Sequence, residues 1–304
     1  MSELFDPKTL ADDLTEARAV YARFFAGVRQ SDWDKPVHGS PKEWDLHETV
    51  AHLCALNGAG LESIKSALAG RPYTFIGLDD RYHFNTYNRK GIDDHMAIQM
   101  QTLCGNALGI LDEAARIAQS LRPEQAETMI QMPIYNRPVS IAEALSILIF
   151  HTGLAHSAQV AEPAGRAPLW MDFSSEFRHR VIGRTIRCFS LLYRLDLGGS
   201  LRNTIVFRID GPEGGEWYVR MSPDAPGSGE GRVPRPGLVI HLREAPVFYH
   251  MLTSRFSLPL ALLRGDMKLS GDLRLFLRMG GLFSIDTRPR APRRDRPVAA
   301  TQGA

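Results

Sequence analysis

Histidines are the side chains of this sequence with the clearest capacity for chemistry. Three of the ten lie in apolar helical patterns: His52 in one predicted helix, and His151 and His156 together in another. Neutral imidazoles are good ligands for zinc, iron or nickel, and imidazoles that converge from two helices of a bundle commonly hold a divalent ion. The three residues therefore form a candidate metal site. The alternative is that each is a packed, hydrogen-bonded core residue, the usual role of one histidine on an apolar face.

The five-residue spacing of His151 and His156 sets a condition on that site. In a regular α-helix, side chains five residues apart diverge by about 140° around the axis, because one turn takes about 3.6 residues. Gly153 lies between the two histidines and would permit a π-bulge. Such a bulge would bring both imidazoles to the same side of the helix.

Four amphipathic helices in the first half of the chain would position these histidines. The second begins at a capping box formed by Asp45 and Glu48, and the fourth at another formed by Ser140 and Glu143. The first and third show apolar residues at three- and four-residue intervals. An aromatic-rich stretch over residues 73–90 is predicted to be a loop, and is a candidate binding or lid segment. Four such helices with short or medium connections predict an up-down four-helix bundle.

The pattern changes after a proline-rich, helix-stopping segment at residues 162–168. Apolar and polar residues alternate from Ile205 to Ile209, which predicts a half-buried strand, and the glycine-rich residues 210–215 predict a hairpin connection. A further strand is predicted at residues 238–242 and a final amphipathic helix at residues 272–282. The second half therefore mixes strands and helices.

Length and composition agree with two folded domains, so the predicted fold class is multidomain, α followed by α/β. At 304 residues, with 44% hydrophobic and 23% charged residues, the chain can bury two ordinary cores. We predict the four-helix bundle over residues 1–165 and an α+β sheet-and-helix domain over residues 170–286. Residues 287–304 are rich in Arg, Pro and Ala without an apolar period, and are predicted to be a disordered tail.

The same totals exclude several classes of function. A formal net charge of +2 without a dense Lys/Arg stripe indicates no nucleic-acid partner. The most apolar run, residues 145–154, is too short to span a bilayer, and the first residues lack a signal-peptide pattern. Three cysteines in apolar helical patterns suit buried, reduced thiols, so we expect a cytoplasmic protein. The sequence contains neither a glycine-rich nucleotide-binding motif nor a Gly-x-Ser-x-Gly elbow.

The first 160 residues or so carry a family resemblance. The stretch from Trp44 to Leu53 resembles the second helix of the DinB-like superfamily, which includes the N-terminal domain of mycothiol-dependent maleylpyruvate isomerases. Residues 67–72 and the pair Phe84-Asn85 are similar to the segment after that helix in the same superfamily. The sequence His-Ser-Ala-Gln at residues 156–159 resembles the end of that family's His-x-Gly-Gln metal motif.

The resemblance implies a divalent metal held by one histidine of the second helix and two ligands, four residues apart, of the fourth. Carried over, His52 and His156 match this pattern. The position four residues before His156 is Thr152, where the family has His or Glu, and His151 lies one residue out of register. The implied ligand set is therefore His52 and His156, with His151 as the candidate third ligand.

The second half has a separate resemblance. Residues 264–272 resemble the Gly-Lys-x-x-x-x-Gly-Asp signature of sterol-carrier-protein type two domains, with Asp266 where the Lys usually stands and Gly271-Asp272 intact. Such domains enclose an apolar tunnel for lipids or other hydrophobic ligands. Periodicity indicates seven candidate tunnel residues, which are otherwise plain core: Phe248, Met251, Leu252, Leu275, Phe276, Met279 and Phe283.

Two functions from different classes remain open. The first is a divalent-metal-dependent isomerase or transferase that uses mycothiol or another low-molecular-weight thiol on a hydrophobic or electrophilic small metabolite. Zinc is the expected metal, with nickel or iron as alternatives, and the metal would present the thiol as a thiolate. The second is a non-catalytic carrier for a lipid or another apolar metabolite. The sequence does not indicate the catalytic residues, the substrate or the oligomeric state.

Overall fold

The first part of the chain is helical. The computed structural model describes residues 3–37, 44–253 and 256–284. A short antiparallel pair, β1 (Met129–Ile130) with β2 (Val139–Ser140), precedes the sixth helix, and a π-helical turn, His151–Ala155, comes after it. The α-helices of this part are, in order, α1 (Pro7–Phe25), α2 (Leu46–Leu68), α3 (Phe84–Met96), α4 (Met100–Ser120), α5 (Pro123–Ala126), α6 (Ile141–Phe150) and α7 (Ser157–Ala161).

Both predicted capping boxes are confirmed. The Glu48 backbone N–H donates to Asp45 Oδ1 at 2.7 Å, and the Asp45 backbone N–H donates back to the Glu48 carboxylate. Ser140 and Glu143 make the same reciprocal pair at the start of α6. These boxes satisfy N–H groups that a helix start would otherwise leave unpaired. They therefore fix the first turns of α2, which carries His52, and of α6, which leads into the π-helical turn.

The long helices pack side by side. Helix α1 lies against α4 and α6, and α2 lies against α3, α4 and α6. The side chains between them are apolar and buried, as expected for helices with one apolar stripe each. Examples are Leu10, Leu14, Val50, Leu103, Leu145 and Ile149.

The prediction of a loop over residues 73–90 is wrong from Phe84 onward, where α3 begins. Phe84, Asn88 and Ile92 recur every four residues and are buried, so this face packs on α2. The helical period is hard to see in the sequence because polar side chains occupy most of the positions in between. The helix matters for the site, since Asn88 reaches one of the candidate ligands.

The second part of the chain combines helices with a sheet. A short 3-10 turn, Leu169–Asp172, leads into it. Its elements are α8 (Ser175–Leu192), α9 (Leu195–Gly198), β3 (Asn203–Ile209), β4 (Gly215–Met221), β5 (Gly227–Glu230), β6 (Leu238–Leu242), α10 (Ala245–Leu252), α11 (Leu258–Arg264), β7 (Met267–Gly271) and α12 (Leu273–Leu282).

The five strands form one sheet in the order β5-β4-β3-β6-β7. The β3–β6 pair is parallel and the other neighbouring pairs are antiparallel. Along β3, Ile205, Phe207 and Ile209 are buried and Arg208 is exposed, as the alternation predicts, but Val206 on the opposite face is buried as well. Helix α8 packs on β4 and β5, while α10 and α12 contact β6. The chain as a whole is therefore a mixed helix-and-sheet, α+β structure.

Buried ion pairs join α8 to the helical part. Asp13 of α1 is fully buried and lies 2.6 Å from Arg180 Nη2 and 2.5 Å from Arg184 Nη1. Glu143 of α6 accepts from Arg187 Nε at 2.7 Å and from Arg137 Nη2 at 2.7 Å. A carboxylate removed from water needs such partners, so α8 completes the environment of two acidic residues from the helical part.

Two further expectations concern membranes and the chain end. Among the helices that the structure describes, none combines the length and the apolar character that crossing a membrane requires. The predicted disordered tail, residues 287–304, lies outside the described residues.

Candidate metal centre

The structure brings the three predicted histidines together. His52 projects from α2, His151 is the first residue of the π-helical turn, and His156 directly follows its last residue. His52 Nε2 lies 3.0 Å from His151 Nε2 and 3.1 Å from His156 Nε2. The three potential ligand atoms all lie within 4.8 Å of one another. Since metal–nitrogen bonds are about 2 Å long, three nitrogens so placed can share one ion.

The π-helical turn places both later histidines on one side, as predicted. The His156 backbone N–H donates to the His151 carbonyl at 3.3 Å, a bond that spans five residues rather than four. A glycine is required inside the turn because α8 packs closely over it. A Cβ on Gly153 would lie 2.7 Å from Cζ of Phe177, closer than real carbon contacts come.

Hydrogen bonds at the other ring nitrogen determine the tautomer of each histidine. An amide oxygen can only accept, so a ring nitrogen beside it must carry the proton. The lone pair then lies on Nε2, and all three Nε2 atoms face a common point. The partners are Asn88 Oδ1 for His52 Nδ1 (2.5 Å), Asn57 Oδ1 for His151 Nδ1 (2.8 Å) and Gln159 Oε1 for His156 Nδ1 (2.5 Å).

Thr152, which stands where the resembled family has a ligand, supports the site indirectly. Its Oγ1 accepts a hydrogen bond of 3.0 Å from Asn57 Nδ2, which leaves the Asn57 oxygen facing His151. The carbonyl of Thr152 accepts from the Tyr21 hydroxyl at 2.8 Å. Thr152 thus orients the hydrogen-bond partner of His151, as outer groups of metal sites commonly do.

All three imidazoles are held in their neutral form. Burial, reinforced by the neighbouring rings, keeps the pKa of His52 and of His151 well below the ordinary value. Burial also lowers the pKa of His156 to about 4, although the hydrogen bond to Gln159 opposes the shift. Neutral imidazole is the form that binds a metal. Three converging lone pairs repel one another unless a cation lies between them, so the donor set fits a divalent ion.

The triad forms part of the wall of a cavity of about 570 Å³. The size is within the range of small-molecule sites. The helical part, α8 and the residue directly after α12 all contribute to the wall, which is mainly apolar. Among the apolar lining residues are Phe84, Ile147, Leu148, Phe189, Leu192 and Phe283.

Of the seven predicted tunnel residues, Phe283 lines this cavity. Phe248 and Leu275 are fully packed in the core, and Met251, Leu252, Phe276 and Met279 are partly buried against it. These six do not contribute to the wall of the cavity that contains the triad. A tunnel formed by the seven within the α+β part stays a prediction.

None of the three cysteines is an activated nucleophile. Burial raises the pKa of the Cys54 and Cys188 thiols to about 12 and that of Cys104 to about 11. A thiol reacts as its thiolate, and these groups remain protonated near neutral pH. Cys188 lies on the cavity wall, but it does not supply a thiolate there.

Asn57 and Asn88 were not predicted as site residues, and Gln159 was noted only as the last residue of the resembled metal motif, without a role. A signal for two of them is present: Gln159 lies one helical turn after His156, and Asn57 lies on α2 only five residues after His52. The signal for Asn88 was hidden by the loop prediction over its segment.

The fold defines a class: a helical part, which carries the three histidines, joined to an α+β part. Two solved structures have this fold, those of mycothiol-dependent maleylpyruvate isomerase and of a mutant of it in which a histidine is replaced by alanine. Both are 14% identical to the chain, and each match covers 86% of this chain and 92% of the other. The TM-score is 0.52 for the unmutated isomerase and 0.54 for the mutant. At this identity the likeness is one of fold. No protein-family model matches the chain, and neither does any curated protein.

Proposed function

We propose that this chain is a divalent-metal-dependent enzyme that uses a low-molecular-weight thiol to isomerise, or to transfer a group on, a hydrophobic or electrophilic small metabolite. The observation that carries the proposal is the convergence of three Nε2 lone pairs, His52 with His151 and His156, on the wall of an apolar cavity. Three protein nitrogens with one open position are the donor set of a catalytic zinc site, and nickel or iron also accept it.

Different residues of the chain would hold the ion, orient its ligands and exclude water. His52, His151 and His156 would hold the ion, and the amide side chains of Asn57 and Asn88 keep their rings in the ligating tautomer. The mainly apolar wall would limit the access of water to the open position. A divalent ion at this place supplies Lewis-acid chemistry, which lowers the pKa of a bound thiol.

The thiol is proposed to come from outside the chain. The cysteines are buried, and their raised pKa values keep them protonated. The solved structures with the same fold include a mycothiol-dependent isomerase, which supports mycothiol, or a thiol of similar size, as the co-substrate.

We further propose the finer domain assignments. Residues 1–165 would form a DinB-like four-helix bundle, supported by the packing of α1, α2, α4 and α6. Residues 170–286 would form a domain like sterol-carrier-protein type two, supported by the five-stranded sheet under helices. A cytoplasmic location agrees with reduced, buried cysteines.

A non-catalytic carrier of a lipid or other apolar metabolite is the second candidate. The apolar character of the cavity favours it, because such a wall would retain a hydrocarbon ligand without any metal. The two candidates differ in whether the triad is occupied by a metal in the working protein.

Metal analysis of the purified protein tests the enzyme proposal. We expect about one divalent ion per chain, and we expect His52→Ala and His151→Ala each to release it, because two protein ligands rarely hold zinc tightly. Asn57→Ala should weaken metal affinity by about 10–100-fold, since the amide fixes the orientation of His151. His95→Ala is the matched control: this histidine bonds the Gly91 carbonyl on α3, away from the triad, and its loss should leave metal content unchanged.

The thiol can be tested in the cobalt-substituted protein. Addition of mycothiol or glutathione should produce a thiolate-to-cobalt charge-transfer band that is absent in His52→Ala. A wild-type protein that binds no metal, but purifies with a lipid in its cavity, would overturn the enzyme proposal in favour of the carrier.

A further inference from the structure

The wall of the cavity carries almost no net charge. Arg89 is the one cationic side chain among the described residues that line it, and no carboxylate lines it. The guanidinium of Arg89 is already neutralised from two sides. Its Nη1 lies 2.5 Å from Glu48 Oε1, and its Nε donates to Asp93 Oδ1 at 2.8 Å. A substrate carboxylate would therefore find no uncommitted cation on the protein wall.

Tyr135 carries the only hydroxyl among the described residues that line the cavity, and the other polar side chains of the wall include the amides of Asn57, Asn85 and Asn88. Tyr135 lines the cavity, and within the described residues its hydroxyl has no hydrogen-bond partner. Burial raises the pKa of this phenol well above its ordinary value, so the group remains an O–H donor. Tyr135 is partly exposed rather than fully buried, so a ligand or water in the cavity can accept a hydrogen bond from its hydroxyl.

The backbone around Tyr135 is held firmly against α8. The next residue, Asn136, donates its side-chain amide to the carbonyls of Ser190 (2.9 Å) and Tyr193 (3.3 Å). Its backbone N–H donates to the Leu191 carbonyl at 3.0 Å. These bonds fix Tyr135 beside the apolar part of the wall that α8 contributes, so the donor is pre-positioned.

We infer that the cavity binds an uncharged substrate with an aryl or alkyl body and one carbonyl oxygen, and that the Tyr135 hydroxyl donates a hydrogen bond to that oxygen. Apolar walls bind the hydrocarbon, and in the metal-free protein a carboxylate is disfavoured because no uncommitted cation on the wall would pair with its charge. This substrate class makes the proposed function more specific. That the bound substrate also reacts rests on the proposed function. An unsaturated ketone or aldehyde is an electrophile of this class that a thiolate can attack.

A set of three ligands that share a phenylvinyl group tests the inference. They are benzylideneacetone, the hydrocarbon 1-phenyl-1-butene, and cinnamate, each used to displace the uncharged fluorescent probe N-phenyl-1-naphthylamine. The protein is the full chain carrying His52→Ala, so that the ketone does not report on a metal. The ketone should bind about fivefold more tightly than the hydrocarbon, the factor for one net hydrogen bond of about 1 kcal/mol. Cinnamate should bind at least about tenfold more weakly than the ketone.

Tyr135→Phe should remove the preference for the ketone while retaining the binding of the hydrocarbon. Tyr87→Phe is the control, because Tyr87 is a half-buried tyrosine that does not line the cavity. An unchanged preference in Tyr135→Phe, or cinnamate binding as tightly as the ketone, would overturn the inference.

The location is tested by filling the cavity. Gly60 lines it on α2, and a Cβ there would meet no atom within 4 Å, so Gly60→Leu should fold and weaken probe binding. Gly105→Leu on α4, also in open space but away from the cavity, should not. Retained probe binding in Gly60→Leu would place the ligand elsewhere. If the wild-type protein binds no metal, the proposed enzyme function is wrong, but the binding results still stand. If the protein binds metal but no probe, only the inference about the substrate is wrong.

Discussion

The close contact between Gly153 and Phe177 makes Gly153→Ala a sensitive test of the π-helical turn. The new Cβ would lie 2.7 Å from Cζ and 2.9 Å from Cε1 of the Phe177 ring. That ring is fully buried and stacked on Phe173 with centroids 4.1 Å apart, so it cannot swing aside. The clash must be relieved by movement of the turn itself, which carries the backbone of His151 and His156.

Two opposing effects determine how much Gly153→Ala changes the free energy of unfolding. Overpacking of a tight core costs about 1–3 kcal/mol, whereas replacing a helical glycine by alanine gains about 0.5–1 kcal/mol. Gly153→Ala should therefore lower the free energy of unfolding by up to about 2.5 kcal/mol, with a central value of about 1 kcal/mol. Gly105→Ala on α4 is the matched control, because a Cβ there meets nothing within 4 Å, and it should raise stability by about 0.5–1 kcal/mol.

Urea unfolding of the metal-free proteins measures both changes, and metal titration then shows whether the displaced turn weakens the site. The double variant Gly153→Ala/Phe177→Leu should recover part of the lost affinity for metal, since the smaller side chain makes room for the new methyl group. If Gly153→Ala is as stable as Gly105→Ala and binds metal normally, the argument from close packing is wrong.

Two further predictions concern the contacts between the helical part and α8. Asp13→Asn leaves Arg184 buried without a charged partner and should lower the free energy of unfolding by about 3–5 kcal/mol. Asp12→Asn on the exposed side of α1 is the control and should change it by less than about 1 kcal/mol, so equal effects would contradict the burial argument. For Glu143, burial is the largest influence and opposes ionisation, but the hydrogen bond from Arg137 and the charge of Arg187 outweigh it and lower the pKa from 4.5 to about 2. The stability that ionised Glu143 contributes is therefore present above pH 4.5 and is lost as the pH falls towards 2. Between these pH values the free energy of unfolding should fall less steeply in Glu143→Gln than in the wild type, and an unchanged slope would refute this account.

The ligands themselves could be predicted from the sequence because each lies at a definite place in a helix whose start is marked. The capping boxes at Asp45 and Ser140 fix where α2 and α6 begin, and His151 and His156 lie further along the same apolar run as α6. Gly153 indicated the one local distortion that would bring the last two together. Each of these signals depends on hydrogen bonds between residues close together in the chain, so it can be read from a short stretch of sequence.

The cavity and the amide partners could not be predicted in the same way. Periodicity shows that α8 has an apolar face, but it does not show which surface that face covers, and Phe189 and Leu192 prove to close the cavity beside the triad. Asn88 was missed because its helix has a weak apolar period. The seven residues proposed for a tunnel were chosen from periodicity alone, which cannot distinguish the wall of a cavity from packed core.

The π-helical turn also determines how this chain can change in length. Such a turn is an α-helix with one additional residue, so deletion of Gly153 would return the segment to regular α-helix. His151 and the second histidine would then be four residues apart, a spacing at which helical side chains lie on the same face. A one-residue deletion in α2 before His52 has the opposite result, because it turns that imidazole by about 100° relative to the residues ahead of it. Insertions and deletions at the π-helical turn, unlike those in α2, therefore interconvert two ligand spacings without dispersing the ligands.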